Sequence, residues 1–325
     1  GLNLMNNKFG KIMITGGAGF IGSHLTQKLI DENNEVVILD NLSTGNKLNL
    51  NSLTEKKKFK LIVEDLKNQG KISSHFKDID TIFHMAADPE VRTGFSDPKL
   101  AYEQNIQNTY ELLENVRKSN IKQFVFASSS VVYGEPEIIP TPETFGPLLP
   151  ISTYGGTKLA CEGLISSYCN NYGIKGTIVR FANVVGSRAR HGVIWDFINK
   201  LKKNEKELQV LGNGKQSKSY IHVNDCVNGL LFSAKHTEKK IDVFNLGNHD
   251  MVNVLDIASI VCKTMKLENV DIITSGGTDD GRGWIGDVRE MNLDISKMCN
   301  LGWNPIKNSQ ASVERATLEL VSESK

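Results

Sequence analysis

The chain has 325 residues, of which 39% are hydrophobic, so it can bury a large core in one α/β domain or in two smaller ones. Its 38 basic and 37 acidic side chains give a formal charge of +1, so there is no electrostatic reason to expect a nucleic acid or a membrane surface as partner. Five scattered cysteines without C-x-x-C spacing indicate neither a disulfide framework nor a zinc site, and no metal is predicted. With no run of about 18 apolar residues and no apolar signal core, a cytoplasmic globular protein is expected.

The first half of the chain alternates short β-branched runs with longer amphipathic stretches. Strands are predicted at 11–15, 35–39, 59–63, 81–84, 123–127 and 175–180, and helices at 23–32, 98–119 and 154–172. This rhythm predicts an α/β fold with a parallel, doubly wound sheet and helices on both of its faces.

The regular alternation of strands and helices ends at about residue 180. Beyond it, a helix at 193–203 and a turn at 212–214 are predicted. We expect a first domain over 1–180, completed by a strand and helix from about 221–247. A smaller, mixed α/β C-terminal substrate domain is expected over 181–325.

A glycine-rich turn lies at 16–22, directly after the first predicted strand and at the start of the first predicted helix. Glycines allow the backbone to approach a pyrophosphate closely, and the N–H groups at the start of a helix attract it. The turn predicts a dinucleotide site, with Gly16, Gly19, Phe20, Ile21 and Gly22 as contacts. A purely structural turn is the alternative.

Asp40 ends the next predicted strand, about twenty residues beyond the turn. A carboxylate there can accept both hydroxyls of an adenosine ribose and would repel a 2′-phosphate, which favours NAD over NADP. The alternative is that Asp40 only caps the turn that follows it.

Tyr154 and Lys158 stand four residues apart and therefore on one face of a helix. A tyrosine has an ordinary pKa of about 10, and a neighbouring ammonium favours its phenolate, so Tyr154 is a candidate acid and base. An ordinary pair on a helix surface is the alternative.

Three serines, Ser128, Ser129 and Ser130, follow a buried strand at the edge where open α/β sheets bind ligands. One of these hydroxyls could bind a reacting oxygen. The alternative is that they satisfy loop backbone groups.

In combination these segments resemble the extended short-chain dehydrogenase/reductase family, and within it the archaeal type of UDP-glucose 4-epimerases. The resemblance covers nearly the whole chain and rests on TGGAGFIGSH at 15–24, DNLSTG at 40–45, HMAA at 84–87, RFANVVG at 180–186, GNGKQ at 212–216, YIHVND at 220–225, GD at 286–287 and LGW at 301–303, together with the serines, Tyr154 and Lys158.

The resemblance implies a Rossmann fold, NAD as cofactor and the catalytic residues Ser129, Tyr154 and Lys158. By the same likeness, further cofactor contacts are Asp40, Asn41, Ser43, Thr44, Gly45, Asp65, Leu66, Ala86, Ala87, Asn105 and Ser128, with Tyr154 and Lys158 also touching NAD. It implies contacts to a UDP-sugar substrate from Ser129, Ser130, Tyr154, Asn183 and Val193.

Two departures from the family pattern concern the substrate. Lys218 stands where many epimerases carry an arginine for the phosphates, and it lacks the bidentate fork of a guanidinium. Arg282 is a second candidate cation. Met291 stands where epimerases restricted to unsubstituted hexoses carry a tyrosine that narrows the sugar pocket, so we expect N-acetylated sugars to be admitted beside glucose and galactose. A core methionine without such a role is the alternative.

The reaction expected from the resemblance is 4-epimerisation of a UDP-hexose through a transient 4-keto sugar. No carboxylate follows Ser129, which argues against a dehydratase or a decarboxylase. A UDP-uronate 4-epimerase, another sugar-nucleotide-modifying enzyme of the family, a dehydrogenase that releases NADH and a non-catalytic NAD-sensing protein remain as alternatives. The resemblance also implies a homodimer through a four-helix contact of 98–119 and 154–172.

Overall fold

A computed structural model describes residues 8–87 and 95–325. The chain divides into two compact units. The first unit comprises Gly1–Ser128, Gly156–Arg180 and Leu230–Phe244, and the second comprises Ser129–Gly155, Phe181–Gly229 and Asn245–Lys325. Within the described ranges, we find no helix with the length and apolar character that crossing a bilayer requires.

Strands and helices alternate along most of the chain. The strands are β1 (Ile12–Thr15), β2 (Val36–Asp40), β3 (Phe59–Val63), β4 (Thr81–His84), β5 (Gln123–Ser129), β6 (Lys175–Phe181), β7 (Asn183–Val185), β8 (Glu207–Leu211), β9 (Ser217–Lys218), β10 (Tyr220–His222), β11 (Ile241–Leu246), β12 (Val252–Asn253), β13 (Asp271–Ser275) and β14 (Glu290–Met291). The α-helices are α1 (Phe20–Asp31), α2 (Gln69–Ile72), α3 (Pro98–Ala101), α4 (Asn108–Arg117), α5 (Thr153–Tyr172), α6 (Val193–Lys203), α7 (Val223–Lys235), α8 (Val254–Thr264), α9 (Ser296–Leu301) and α10 (Ser309–Glu323).

A seven-stranded sheet in the order β11-β6-β5-β4-β1-β2-β3 forms the centre of the first unit. Strand β1 pairs in parallel with β2 and β4, and the pairs β2–β3 and β4–β5 are parallel as well. The strand order runs in opposite directions on the two sides of β1, as in a doubly wound sheet. The predicted α/β fold with a parallel sheet is therefore confirmed.

The central strands are buried on both faces, as parallel strands covered by helices are. Met13, Leu39 and Phe126 belong to an apolar cluster on one face that also includes side chains of α4 and α5. Their neighbours in the strands, such as Ile14 and Ile38, are equally buried. Because successive strand residues point to opposite faces, these lie on the other face of the sheet.

Two predicted helices differ from the observed ones. Helix α1 begins at Phe20 rather than at residue 23, because Gly19 already takes the extended N-cap conformation and Gly22 lies inside the first turn. The helix predicted at 98–119 is interrupted by a π-helical segment, Tyr102–Gln107, and ends at Arg117. Such π segments within α-helices are frequent at functional sites.

The second unit contains three small sheets, β7 with β10, β9 with β12 and β14, and β8 with β13. Helix α6 covers 193–203 as predicted and contacts β8. Strands β9 and β14 are parallel and place Met291 opposite Lys218.

Candidate active site

The glycine-rich turn is shaped by close backbone approach. Gly16 has φ 67°, and a Cβ there would lie 2.7 Å from the Ala86 Cα atom, so no other residue fits without movement of the backbone. The Gly19 N–H donates to Gly16 O at 3.1 Å, and no side chain caps α1. A helix start without a side-chain cap beside a glycine cradle fits the diphosphate of a dinucleotide.

Asp40 lies beside this turn and is largely buried. Its carboxylate accepts hydrogen bonds from the Ala18 N–H at 3.0 Å and from the Leu42 N–H at 2.7 Å. Burial raises the pKa of Asp40, and the two backbone N–H groups oppose the rise. The side chain is thus fixed at the end of β2, and each oxygen can accept a further hydrogen bond, for example from a ribose hydroxyl.

Other predicted adenosine contacts meet at the same place. The Asn41 amide donates to Asp65 at 2.6 Å, and the Ser43 N–H donates to the Asn41 side chain at 2.9 Å. Gly45 is so near Asp40 that a Cβ would lie 2.8 Å from its carboxylate. Thr44 is exposed, and Leu66 is buried in the apolar cluster beside them.

Buried His84, from the HMAA segment, joins the glycine-rich turn to the π segment through hydrogen bonds. Thr15 Oγ1 accepts from the N–H groups of Met85 and Ala86 and lies 2.6 Å from His84 Nδ1. His84 Nε2 lies 2.8 Å from Thr109 Oγ1, and that hydroxyl donates to the carbonyl of Asn105. Burial, and next the charge of Lys158, lower the pKa of His84 to about 3, so its ring is neutral.

Asn105 lies within the π segment and is almost fully buried. Its side-chain amide donates to the Thr157 hydroxyl at 2.9 Å, and its carbonyl accepts from Thr109 and from the Cys161 thiol. The π segment thus connects α4 to α5, the helix that carries Lys158.

Tyr154 and Lys158 occupy the first two turns of α5, one helical turn apart as predicted. The Lys158 ammonium donates to the Ala127 carbonyl at 2.8 Å and lies 4.9 Å from the centre of the Phe126 ring. Burial lowers the pKa of Lys158 to about 8, although nearby Cys161 and Glu162 oppose the shift. The group therefore carries its charge at neutral pH.

The three serines at the end of β5 differ in their surroundings. Ser128 is buried, and its hydroxyl donates to Glu162 at 2.6 Å. Ser129 Oγ accepts from the Val131 N–H at 3.3 Å, where it caps the short helix Ser130–Tyr133. A hydroxyl that accepts one hydrogen bond still has its proton to donate. Ser130 is buried in that short helix.

Sequence reasoning missed the partner of Ser128. Glu162 forms a bidentate ion pair with Arg180, with distances of 3.1 Å to Nε and 2.6 Å to Nη2. The available signal was its position four residues after Lys158, which places Tyr154, Lys158 and Glu162 on one helix face.

In the second unit both predicted substrate cations lie in ion pairs. Lys218 Nζ lies 2.8 Å from Asp287 Oδ1, and Arg282 contacts Glu135 at 2.5 Å and Asp280 at 2.8 Å. Burial disfavours the charge on Glu135, but Arg282 and Arg289 hold the pKa of its carboxyl at about 2. Glu135 and Asp287 were not recognised as partners in the sequence, because they are far from these cations along the chain.

A cleft of about 490 Å³ in the second unit adjoins Arg282 and is lined also by Ile151, Asp280 and Ile285. Asn183 begins β7, opposite Tyr220 of β10, and Val193 begins α6 after Gly192. Met291 is buried at the register position of Lys218. Across residues 8–87 and 95–325, no three His, Cys, Asp or Glu side chains come together as a metal site would require.

Comparisons with known proteins bear on this arrangement. The profile of the NAD dependent epimerase/dehydratase family matches residues 12–247. A putative UDP-glucose 4-epimerase of Methanocaldococcus jannaschii is 35% identical over 309 residues, which are 94% of this chain and 96% of that protein. A crystal structure of a UDP-galactose 4-epimerase is 39% identical and superposes with a TM-score of 0.86, covering 96% of this chain and 99% of that one.

A third similar protein is a mutant UDP-glucuronic acid 4-epimerase from Bacillus cereus, solved with UDP-4-deoxy-4-fluoro-glucuronic acid and NAD. It is 30% identical with a TM-score of 0.86, and the match covers 96% of this chain and 99% of that one. These findings confirm the predicted Rossmann fold, an epimerase-type enzyme and NAD as the cofactor. The family profile spans most of the chain, and the chain belongs to the NAD dependent epimerase/dehydratase family.

Proposed function

We propose that this protein is a UDP-hexose 4-epimerase that interconverts UDP-glucose and UDP-galactose by way of a transient 4-keto sugar. The observation that carries the proposal is the position of Lys158. Its ammonium is bonded to the Ala127 carbonyl, two residues before Ser129, and lies one helical turn after Tyr154. A cation so placed supports proton transfer by Tyr154 near neutral pH.

Each of the three catalytic residues has one task in this proposal. The Tyr154 phenolate takes the proton of the sugar 4-hydroxyl and later returns a proton to the 4-keto oxygen. Ser129 donates its hydrogen bond to the same oxygen, while the Val131 N–H holds the serine oxygen in place. Lys158 favours the phenolate by its charge. Bound NAD supplies the acceptor and donor of hydride at C4.

The first unit offers the groups that would hold NAD. The glycine cradle and the start of α1 suit the diphosphate, and Asp40 suits the adenosine ribose. Asn41 and Asp65 stand beside that ribose position, bonded to each other. We assign the cofactor to this unit.

The second unit offers cations for the diphosphate of the sugar nucleotide. Lys218 and Arg282 are both held in place by carboxylates, and Asn183 begins a neighbouring strand. A cation oriented by a buried carboxylate is already in position when an anion arrives. We assign the sugar nucleotide to this unit.

The absence of an acid after Ser129 favours epimerisation over other reactions of the family. Elimination or decarboxylation from the 4-keto sugar needs a carboxylate near the catalytic hydroxyl, and Ser130 and Val131 stand there instead. Ser130 is also buried within the short helix that follows β5. The keto sugar is therefore left to accept hydride again, and hydride accepted on its opposite face inverts C4 and completes an epimerisation.

A UDP-uronate 4-epimerase is the second candidate, favoured by the similar protein from Bacillus cereus. Both reactions use the same catalytic residues and differ in the group at C6 of the sugar. An enzyme that acts on a uronate would need a cation or hydrogen-bond donors to bind the carboxylate at C6. An enzyme that acts on a hexose would need only a hydrogen-bond partner for the hydroxyl at C6.

One assay tests the proposal. Purified protein is incubated with UDP-glucose or UDP-glucuronate, with and without added NAD, and the products are separated by chromatography while NADH absorbance is followed. We expect UDP-galactose without net NADH, and a decrease of at least about a hundredfold in Tyr154→Phe, which loses the proton acceptor but keeps NAD. Formation of NADH in an amount equal to the product would indicate a dehydrogenase. Product formed only from UDP-glucuronate would show that the protein is a UDP-uronate 4-epimerase and not a UDP-hexose 4-epimerase.

We also propose a homodimer through α3, α4 and α5. These helices, with the π segment between α3 and α4, carry large exposed aromatic side chains, namely Tyr102, Tyr110 and Tyr172, with 52%, 43% and 48% of their surface accessible. Exposed apolar area on neighbouring helices is typical of an association surface. A monomeric mass by light scattering at micromolar concentration would contradict the dimer.

A further inference from the structure

A buried ion pair lies in the first unit, one helical turn after Lys158. The side chains of Glu162 on α5 and Arg180 on β6 are only 7% and 5% exposed. The guanidinium donates to both carboxylate oxygens, which is the strong bidentate geometry. Removing two charges from water is costly, so a pair retained here is expected to serve more than stability.

The same carboxylate also holds the end of β5. Glu162 accepts a hydrogen bond from the Ser128 hydroxyl at 2.6 Å. One helical turn earlier, Lys158 donates to the carbonyl of Ala127 at 2.8 Å. Two successive positions on one face of α5 therefore fix two successive residues of β5, and the next residue along the strand is Ser129.

The groups that face Lys158 differ in charge. On its own helix they are Cys161 and Glu162, and from β4 the side chain of His84 faces it. Burial raises the pKa of the Cys161 thiol and lowers that of His84, so both are neutral at pH 7. Arg180 from β6 is engaged with Glu162. Among these groups, Glu162 is the one that supplies a negative charge before Tyr154 ionises.

We propose that Glu162, oriented by Arg180, is a positioning residue that fixes the end of β5 against α5 and keeps the buried Lys158 side chain cationic. It acts through Ser128 on the placement of Ser129, and through its charge on Lys158. Neither effect requires contact with the sugar or with NAD. The part that concerns turnover rests on the proposed function, and the part that concerns the charge of Lys158 does not.

The charge is tested by NMR titration of full-length protein with NAD, grown with lysine labelled at the ε-carbon. The Lys158 signal is assigned by its loss in Lys158→Arg. Wild type should titrate near pH 8, and Glu162→Gln, which keeps the shape but removes the charge, should titrate lower by roughly one to two pH units. Asp80→Asn is the matched control, because Asp80 pairs with Lys122 at the opposite edge of the sheet. It should leave the Lys158 titration unchanged.

The placement is tested by Glu162→Asp, which retains the charge but is one methylene too short to bond Ser128 and Arg180 together. Its Lys158 titration should stay within about half a pH unit of wild type, while kcat falls by roughly tenfold or more with KM little changed. If Glu162 only stabilised the fold, its substitution would lower the melting temperature and would change neither kcat nor the Lys158 titration.

Each half of the proposal can fail separately. A wild-type Lys158 titration in Glu162→Gln overturns the charge role, and a wild-type kcat in Glu162→Asp overturns the placement role. If Glu162→Gln does not fold, Glu162→Asp still tests both roles, because it keeps a carboxylate at this position. A Lys158 titration that moves by more than about half a pH unit despite the retained charge would then contradict the charge role. If wild type turns over no UDP-sugar, the proposed function fails while the titration still tests the charge of Lys158.

Discussion

Lys218 Nζ lies 2.8 Å from Oδ1 of Asp287, whose side chain is only 2% exposed. The same carboxylate accepts the Gly283 N–H at 3.0 Å, so it is itself held in place and fixes the direction in which the lysine points. The ion pair therefore holds the Lys218 ammonium in a preset position in the second unit, whereas a more flexible lysine would have to be ordered by the substrate.

Lys218→Met should raise KM for the UDP-sugar by roughly tenfold or more. It removes a charge-assisted contact to the diphosphate and leaves Asp287 without its cation, so the carboxylate repels the phosphates. Because the diphosphate does not react, kcat should change by less than about threefold. Steady-state kinetics of the epimerisation measure both constants.

Lys200→Met is the matched control for that change. Lys200 pairs with Asp196 on α6 at 3.1 Å, in a half-exposed contact between neighbouring turns. Exposed pairs of this kind contribute little, so KM should stay at its wild-type value. Equal effects in the two variants would contradict a specific role for Lys218.

Gly16→Ala should abolish retention of NAD during purification. The new Cβ would lie 2.7 Å from the Ala86 backbone, and φ of 67° is unfavourable for alanine. The backbone must shift where it approaches the diphosphate, and unfolding should become easier by at least about 1 kcal/mol. Bound NAD is measured by absorbance after denaturation of the purified protein.

Gly70→Ala provides the comparison, because Gly70 lies in α2 and a Cβ there meets nothing within 4 Å. Its NAD content should equal that of wild type, and its stability should be equal or slightly higher. Loss of NAD from Gly70→Ala as well would mean that the effect at Gly16 is not specific to the turn.

The sequence was most informative where a feature depends on neighbours in the chain. Strand β4 is buried throughout and strand β3 is a mostly apolar edge strand, and both are predicted at their observed bounds from these local runs. The start of α1 was misjudged because glycine is a poor helix former, yet Gly22 lies within the first turn, where the backbone must approach Gly16.

Ion pairs across the fold could not be predicted in the same way. Arg282 and Glu135 are 147 residues apart in the chain, and Lys218 and Asp287 are 69 apart. Such contacts depend on how loops return after several strands, which local periodicity does not encode. For this reason Lys218 and Arg282 are predicted as cations without their partners. The role of Glu162 is hidden in the same way, because its partners Ser128 and Arg180 lie 34 and 18 residues away along the chain.

His84 should remain neutral down to acidic pH, with its proton on Nε2. Thr15 Oγ1 already accepts two backbone hydrogen bonds, so its own proton goes to His84 Nδ1, and Nε2–H donates to Thr109. Nitrogen-15 NMR of labelled histidine should show this single tautomer at pH 7. Signals of the opposite tautomer would contradict the hydrogen-bond order.

The same histidine should make the protein less stable in acid. Its pKa is lowered from 6.5 to about 3 in the folded state, so protons bind the unfolded chain preferentially between these values. Stability attributable to His84 is complete above pH 6.5 and falls by about 1.4 kcal/mol for each pH unit below it. Between pH 7 and pH 5, urea unfolding should lose about 2 kcal/mol more in wild type than in His84→Gln. Equal losses would exclude this role.

Met291 should let the protein epimerise UDP-N-acetylglucosamine as well as UDP-glucose. The residue is buried in β14 opposite Lys218, and its unbranched side chain can move aside for an N-acetyl group, which a rigid tyrosine ring cannot do. Met291→Tyr should lower kcat/KM for the N-acetylated sugar at least about tenfold while changing that for UDP-glucose less than about threefold. Met298→Leu, a conservative change at a buried methionine of α9, should leave both values unchanged. Wild-type protein that converts UDP-glucose but leaves UDP-N-acetylglucosamine untouched would show that Met291 does not widen the pocket, and the restriction would then have to come from another side chain.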